Sequence, residues 1–177
     1  KTPLSGILSS TSLLAKYTET EQQEKRDKHI KTIKSKVKYL DNILNDFLSV
    51  ERLESGKVNY KFSNFPLSKV LNEVVYDANM MLKMGQKINY PRNIDEINID
   101  FDEKILELIF SNLLRNAIKY SSENSVIDIR VAAVGAELLV EFEDNGMGIP
   151  KKEQKFIFNR YFRAENALLS QGTGIGL

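Results

Sequence analysis

The first third of the chain carries apolar residues at helical spacing, in two runs separated by a short polar stretch. The first run predicts a helix from residue 1 to about residue 17, and the second predicts a longer helix that ends near Glu54. Along the second helix the apolar residues alternate steps of three and four, which is the spacing of a coiled-coil seam: Ile30, Ile33, Val37, Leu40, Leu44 and Phe47. Two such helices with one short connection predict an antiparallel hairpin. A second copy of the chain would bury the half-exposed seam in a four-helix bundle.

The pattern changes at Ser55-Gly56-Lys57, where the glycine is a natural helix stop. Beyond this point, alternating apolar residues from Val58 to Phe62 predict a strand, and helical spacing returns from Leu67 to Leu82. The remaining predicted elements are short strands at 88–90 and 97–99, a helix with Asp102 as its N-cap, a hairpin of residues 126–134 and 137–143 that turns at Gly135, and a short helix at 151–158.

Helices and strands mix in this second part without a regular β-α-β order, which predicts an α+β fold. The predicted domains are a helical hairpin at residues 1–55 and a mixed sheet layered with helices at residues 56–177. The segment from Asn159 to Gln171 is polar, and it is predicted to be a mobile lid with Leu168 and Leu169 as its candidate anchors.

Composition excludes several classes of function. The chain of 177 residues carries 25 Lys+Arg against 24 Asp+Glu, so there is no electrostatic case for binding nucleic acid. It has no cysteine, which excludes disulfides, thiol catalysis and cysteine-ligated metal. No apolar run approaches the roughly 20 residues of a membrane-spanning helix, so no membrane contact is expected from these residues.

The stretch Asp144-Asn145-Gly146-Met147-Gly148-Ile149-Pro150 places a carboxylate directly after a predicted strand and follows it with two glycines. Glycine lets the backbone pass close to a ligand. A carboxylate at this point can accept a hydrogen bond from an amino group such as that of adenine. Asp, Asn and Gly are also turn formers, so an ordinary strand-to-helix turn stays open on this stretch alone.

Two further stretches carry groups suited to phosphate. Asn112, Asn116 and Lys119 are spaced i, i+4, i+7 on a predicted helix, so they share one helix face. Amide oxygens are hard ligands for magnesium, and lysine is a point charge for phosphate. The second stretch is a glycine cluster, Gly172-Thr173-Gly174-Ile175-Gly176-Leu177, and glycine lets the backbone pass close to a ligand.

In order along the chain, these three stretches resemble the N, G1 and G2 boxes of the histidine kinase ATP-binding domain. The segment from Phe156 to Arg163 resembles the F box of that family. Lys1-Thr2-Pro3-Leu4 resembles the end of its H box, which usually reads His-Glu-Phe/Leu-Arg/Lys-Thr-Pro-Leu. The resemblance covers essentially the whole chain. It implies a dimerisation and phosphotransfer hairpin followed by an α/β sandwich ATP-binding domain of the Bergerat type.

The resemblance also implies a site for ATP and Mg²⁺. Asp144 would hold the adenine amino group, Asn116 would bind Mg²⁺, and Arg163 would meet the terminal phosphate. The other implied ATP contacts are Asn112, Lys119, Tyr120, Gly146, Gly148, Ile149, Gly172, Thr173, Gly174, Ile175, Gly176 and Leu177. Asn112 and Asn116 are the catalytic candidates beside the nucleotide, and Tyr120 is also compatible with a core position. Thr2 takes the family position linked to phosphatase activity toward the regulator, and it is equally suited to starting a helix.

The implied activity is autophosphorylation of a histidine expected just ahead of Lys1, followed by transfer to an aspartate on the receiver domain of a response regulator. The implied assembly is a homodimer through the hairpin, in the cytoplasmic portion of a protein that often carries a sensor, which is sometimes membrane-bound. His29 is the single histidine and lacks a following Thr-Pro-Leu, so it is interpreted as an exposed structural residue. The ATP-binding domain is expected to continue after Leu177.

Two other hypotheses stay open on the sequence. One is another ATPase of the same wider fold, like the chaperone, mismatch-repair and gyrase ATPases, which share the glycine boxes but lack a hairpin opening in Thr-Pro-Leu. The other is a dimeric scaffold with a degenerate nucleotide site. The intact Asn116, Asp144 and glycine boxes argue against the scaffold.

Overall fold

The computed structural model describes residues 2–54, 59–135, 137–168, 170, 172 and 174. It divides into two units, Lys1–Val58 and Asn59–Leu177. The predicted domain boundary at Ser55-Gly56-Lys57 lies outside the described residues. No helix within the described ranges is long and apolar enough to cross a membrane.

The first unit is a hairpin of two helices, α1 (Pro3–Leu14) and α2 (Gln23–Glu54), joined through a 3-10 turn at Thr20–Gln22. The helices run antiparallel, because the Ser10 hydroxyl lies 3.4 Å from His29 Nδ1 and a Cβ on Gly6 would lie 3.7 Å from Lys36 Cε. The predicted helical hairpin is therefore confirmed. Within one chain the seam of α2 stays partly open, since Val37 is 51% and Leu44 is 54% exposed.

The described residues of the second unit form five strands and two α-helices, in the order β1 (Phe62–Pro66), α3 (Leu67–Asn79), β2 (Lys87–Asn89), β3 (Asn98–Asp102), α4 (Glu103–Tyr120), β4 (Val126–Val134) and β5 (Glu137–Asp144). Strands β1 and β3 form an antiparallel ribbon. The second sheet has the order β2-β4-β5, in which β2 is parallel to β4 and β4 is antiparallel to β5. This mixture of parallel and antiparallel pairs, layered with helices, confirms the predicted α+β fold.

The core of this unit lies between the sheet and the two helices. On β4, Ile127 and Ile129 are buried, whereas Arg130 lies on the exposed face. Leu71 of α3 and Leu114 of α4 are fully buried in the same apolar cluster. Burying side chains of this size contributes about 1.5–3 kcal/mol each. The cluster therefore fixes α4, which carries the amide and lysine side chains, against the sheet.

The start of α4 is fixed by Asp102, as predicted. Its carboxylate accepts backbone hydrogen bonds from Lys61 (2.7 Å), Lys104 (3.0 Å) and Ile105 (3.1 Å). These bonds, that from Lys61 first, hold the pKa of Asp102 below its ordinary value. One side chain thus caps the helix and ties it to the residue before β1.

Two predicted elements are wrong in position or type. The first strand begins at Phe62, where the predicted strand ended, because its ladder partner β3 ends at Asp102 opposite Phe62. Val58 lies outside the described residues. The predicted helix at 151–158 is a series of turns with one 3-10 turn at Gln154–Phe156. Its backbone bonds span three residues, and so short a segment gains little from helical propagation.

Candidate nucleotide site

A cleft of about 420 Å³ opens in the second unit beside the C-terminal half of α4. This volume lies within the range of small-molecule sites, about 300–1,000 Å³. The cleft brings together many of the sequence-predicted site residues, which lie far apart in the chain: Asn116, Lys119, Tyr120, Asp144, Gly148, Ile149, Arg163, Gly172 and Gly174. Apolar side chains cover part of its wall, among them Leu113, Phe142, Met147 and Phe162.

Asp144 closes strand β5 and presents its carboxylate at the cleft. Its Oδ1 accepts hydrogen bonds from the backbone N–H of Gly146 (2.8 Å) and from the hydroxyl of Ser121 (3.4 Å). Its Oδ2 has no hydrogen-bond partner in the described part of the chain. The carboxylate is therefore held through one oxygen, and the other is available as an acceptor.

Gly146 lies behind the cleft wall and packs on the end of α4. A Cβ at this position would lie 2.7 Å from the carbonyl oxygen of Tyr120 and 2.6 Å from Asp144 Oδ1. The next residue, Met147, donates its N–H to the same carbonyl of Tyr120 at 3.3 Å. Close backbone approach is thus required at Gly146, where it joins the turn to the helix. Gly148 has a φ of +64° and lines the cleft.

The last turn of α4 presents Lys119 and Tyr120 to the cleft. Lys119 Nζ donates to the Tyr120 hydroxyl at 2.8 Å. Gly172 packs on this pair, since a Cβ there would lie 2.7 Å from Lys119 Nζ. The structure therefore brings the lysine of the helix beside Gly172, the first residue of the second glycine cluster. The partly buried Tyr120 is a cleft residue.

The two asparagines of α4 differ in position. Asn116 lines the cleft, whereas Asn112 does not. Asn112 Oδ1 accepts a hydrogen bond from Arg115 Nη2 one turn along the helix. Asn112 stays outside the cleft although the next residue, Leu113, lines it, so a shared helix face was not enough to bring Asn112 to the cleft. Its predicted contact with ATP stays a prediction.

Arg163 lines the cleft, but its guanidinium is engaged by its own segment. Its Nη2 donates to the carbonyls of Ala167 (2.6 Å), Leu168 (3.1 Å) and Ser170. Its Nε is buried without a hydrogen-bond partner among the described residues. The arginine thus bonds to carbonyl groups of its own loop, at positions four to seven residues further along the chain.

Gly174 packs directly on the segment that resembles the F box. A Cβ there would lie 2.7 Å from the carbonyl oxygen of Phe162. Its carbonyl accepts from Tyr161 N–H at 2.8 Å, and both residues have positive φ values, +73° for Gly174 and 60° for Tyr161. This glycine therefore serves close packing between two segments of the cleft wall.

Polar contacts that the sequence did not indicate anchor the middle of the predicted lid. Asn166 lines the cleft and donates to the carbonyl of Gly148 at 3.0 Å. Glu165 N–H donates to Glu153 Oε2 at 3.0 Å. The expectation that Leu168 anchors this segment is wrong, because its side chain is 56% exposed, and the buried residue is the neighbouring Ala167.

The remaining predicted site residues fall elsewhere. Thr2 lies in the hairpin unit, where its hydroxyl accepts from Ser5 N–H at 3.3 Å and caps α1. Leu169, Thr173, Ile175, Gly176 and Leu177 lie outside the described residues.

The groups present fit a nucleotide with a metal ion held partly by phosphates. Within the described ranges, no group of three or more His, Cys, Asp or Glu could hold a metal ion. Magnesium at such sites keeps waters and uses few protein ligands beside substrate phosphates. The Asn116 amide in the cleft suits that donor set.

Comparison with known proteins gives a family match in each of the two units. Residues 1–56 match the His Kinase A (phospho-acceptor) domain, and residues 101–177 match the family of histidine kinase-, DNA gyrase B-, and HSP90-like ATPases. The chain carries, in order, the two family domains of a sensor histidine kinase catalytic core. The phospho-acceptor match separates this histidine kinase core from the other ATPases of the wider fold, and its second unit is an ATP-binding domain.

Two relatives in this family align with the full length of the chain. It is 34% identical over 191 residues to the signal transduction histidine-protein kinase BarA of Escherichia coli (strain K12), covering 100% of the chain and 20% of BarA. It is 27% identical over 177 residues to the sensor protein VanS of Enterococcus faecium, covering 100% of the chain and 46% of VanS. The chain therefore spans less than half the length of these relatives.

Among solved structures, the fold is similar to that of the Acinetobacter baumannii histidine kinase AdeS. The TM-score is 0.68 at 17% identity, covering 90% of the chain and 77% of the solved one. At this identity the likeness concerns the fold alone.

Proposed function

We propose that this chain is the core of a kinase that binds Mg-ATP in the cleft of its second unit and phosphorylates a histidine. The observation that carries the proposal is the meeting of Asp144, Asn116 and Lys119 at one cleft, although they come from two elements. A carboxylate for the base, an amide for the metal and an ammonium for the phosphates match the three parts of the ligand.

Asp144 would recognise adenine. Its Oδ2 is an acceptor without a partner in the described part of the chain, and an ionised acceptor favours an amino group over a carbonyl. Tyr120 and Met147 line the cleft on either side of the contact that joins α4 to the turn. Their apolar parts would exclude water from the base.

Asn116 and Lys119 would hold the phosphate chain. Magnesium, when bound, supplies neutralisation of the charge on the transferred phosphoryl group. Asn116 would orient that ion through its amide oxygen. Lys119 would exchange its contact with the Tyr120 hydroxyl for a phosphate oxygen, which is the stronger acceptor for an ammonium group.

The hairpin unit would form the dimer. Its seam exposes Val37 and Leu44 in a single chain, and a second copy would bury them in a four-helix bundle. Replacing both residues by glutamate should give monomers in sedimentation at high micromolar concentration, because a charge in an apolar seam is costly. A monomeric wild type that carries the natural residues before Lys1 would contradict the proposed dimer.

The acceptor would be a histidine ahead of Lys1, since Lys1-Thr2-Pro3-Leu4 matches the residues that follow the acceptor in the family. The partner would be the receiver domain of a response regulator, and Thr2 would serve phosphatase activity toward that partner. His29 contacts Ser10 and stacks on Tyr17 at a ring distance of 5.7 Å, which suits a structural role in the hairpin.

The test is incubation of a longer chain, with its natural residues on both sides, with γ-labelled ATP and magnesium. We expect an acid-labile, base-stable label that maps ahead of Lys1 and persists in a His29→Gln variant. Asp144→Asn should reduce the label, whereas Asp128→Asn, on the exposed face of β4, should not. A label on His29, or hydrolysis of ATP without any protein label, would overturn the proposal.

A further inference from the structure

Gln86 is a buried polar side chain outside the cleft, with an exposure of 5%. Its Nε2 donates to the carbonyls of Ile118 (3.2 Å) and Ser122 (2.9 Å) and to the hydroxyl of Ser125 (3.3 Å). Its Oε1 accepts from the backbone N–H of Lys83 at 2.9 Å. Both the NH2 group and the oxygen of the Gln86 amide are thus hydrogen-bonded within the protein. The NH2 group holds the last turn of α4 and the segment that follows it.

Lys83 reaches the same segment from the same loop. Its Nζ donates to the carbonyls of Lys119 (2.8 Å) and Ser121 (2.5 Å). The last carbonyls of a helix have no partner within the helix, and a cation near them is favourable. Gln86 and Lys83 therefore supply the bonds that the end of α4 lacks.

This clamped segment supports the adenine end of the cleft. The Ser121 hydroxyl, in a side chain that is 2% exposed, donates to Asp144 Oδ1 at 3.4 Å. The Tyr120 carbonyl accepts from Met147 N–H at 3.3 Å and packs on Gly146. A shift of residues 120–122 would therefore move the carboxylate and the turn that follows it.

The two loops are also packed tightly on each other. Gly85 has a φ of +70°, and a Cβ there would lie 1.9 Å from Asn124 Oδ1. Asn124 N–H donates to the carbonyl of Met84 at 2.9 Å. With so little space between them, the loop that carries Gln86 and the segment after α4 have to move together.

We infer that Gln86, assisted by Lys83, is a positioning residue for adenine recognition, acting through Ser121 on Asp144. Neither Gln86 nor Lys83 lines the cleft, so neither is expected to touch the nucleotide. This inference rests on the proposed function, because it assigns a supporting partner to the carboxylate that would hold the base.

The test is a double-mutant cycle of Gln86→Leu with Asp144→Asn, read by calorimetric titration of the chain with Mg-ATP. We expect Gln86→Leu to weaken binding about tenfold when Asp144 is present and less than about twofold when Asp144 is already Asn. A merely structural role would weaken binding equally in both backgrounds. Asn89→Leu is the matched control, since its amide donates to Asp128 at 2.9 Å on the sheet edge and should leave affinity unchanged.

The possible outcomes distinguish a failure of the proposed function from a failure of this inference alone. A wild-type chain that binds no ATP overturns the proposed function and this inference together. A wild type that binds ATP, with Gln86→Leu binding equally well or equally weakened in both backgrounds, overturns the inference alone. If circular dichroism shows that Gln86→Leu is unfolded, the same cycle with Lys83→Met decides by the same criteria.

Discussion

The two ends of the cleft are held in different ways. At the proposed adenine end, Asp144 and the turn after it are bonded to Ser121 and to the last residue of α4, which is itself packed into the core. At the proposed phosphate end, the guanidinium of Arg163 donates to carbonyls of its own loop, at Ala167, Leu168 and Ser170. The Asp144 carboxylate is thus held by a distant segment of the chain, whereas the Arg163 guanidinium is held within its own loop.

This difference indicates which end has to change when a nucleotide binds. The Asp144 carboxylate already has one oxygen fixed and one available, so in the proposed function recognition of the base would need no rearrangement. Arg163 would have to exchange its carbonyl partners for phosphate, and its loop would reorganise when it does. The proposed function therefore predicts a preorganised adenine end, with a lower entropic cost of binding, and a phosphate end that closes on its ligand.

The largest expected effect is at Asp144. Asp144→Asn should weaken binding of Mg-ATP by about 10- to 150-fold, because a charge-assisted hydrogen bond is worth about 1.5–3 kcal/mol. Calorimetric titration measures the loss, and Asp128→Asn on the exposed face of β4 is the control. Unchanged affinity would remove Asp144 from the adenine end and break the comparison.

Gly146→Ala tests whether the adenine end tolerates any displacement. The added Cβ would lie 2.7 Å from the Tyr120 carbonyl oxygen, so the turn has to move, and we expect about a tenfold loss of ATP affinity. Gly135→Ala is the control for destabilisation. Gly135 has a φ of +65°, and among the described residues no heavy atom beyond its chain neighbours would lie within 4 Å of an added Cβ. Its substitution should therefore strain the backbone without changing ATP affinity. Equal ATP affinity in both variants would contradict the preorganised turn.

Arg163→Ala should have a smaller effect that is confined to the phosphate end. We expect about a three- to tenfold loss of affinity for ATP, since loss of a charged hydrogen bond is partly offset by release of the loop. Binding of adenosine, which lacks phosphates, should not change. Asp144→Asn should weaken both ligands, so the ratio of the two affinities distinguishes the ends. An equal loss for adenosine in Arg163→Ala would show that the ends are not separate.

The smallest effect is expected at Glu107, on α4 but away from the cleft. Burial, and then the charges of Glu73, Asp77 and Glu103, raise the pKa of this carboxyl above its ordinary value. The protonated form therefore favours the folded state at low pH, and that contribution is lost as pH rises through the folded-state pKa. At pH 7 the carboxylate destabilises the fold.

Glu107→Gln should therefore raise Tm at pH 7 by about 1–2 °C, and the gain should vanish at a pH below the ordinary pKa of a glutamate carboxyl. Thermal unfolding at the two pH values measures it. ATP affinity should stay the same, because α4 is held at its end by other contacts. A Tm that falls at pH 7 would show that Glu107 is stabilising as an anion.

The sequence predicted much of this fold because the deciding signals are local. The Asp102 cap, the period of α4 and the glycine turn between β4 and β5 each depend on a few neighbouring residues. The start of β1 could not be predicted, because it depends on a pairing with β3 some 36 residues away, as between Asn64 and Asp100. The predicted helix at 151–158 was wrong because the local pattern was too short, and a short segment lacks the stabilisation that a longer helix gains from propagation.

The candidate site likewise contains residues that the sequence indicated and residues that it could not indicate. The motifs indicated Asp144, Asn116 and Lys119, because their chemistry and spacing are visible along the chain. They did not indicate Asn166 or Gln86, whose contacts with Gly148 and with the end of α4 depend on how loops meet in space. The position of Asn112 outside the cleft, beside the cleft residue Leu113, likewise could not be predicted from its helix face.

Hydrogen–deuterium exchange of the whole chain, with and without Mg-ATP, tests the contrast between the two ends most directly. Backbone N–H groups at the adenine end, such as those of Gly146 and Met147, already donate hydrogen bonds, so their exchange should slow less than about threefold. Exchange of the N–H groups of Arg163, Ala164 and Asn166, which donate no hydrogen bond among the described residues, should slow at least about tenfold as the loop closes on phosphate. Equal slowing at both ends, or slowing at the adenine end alone, would contradict a preorganised adenine end and a phosphate end that closes on its ligand.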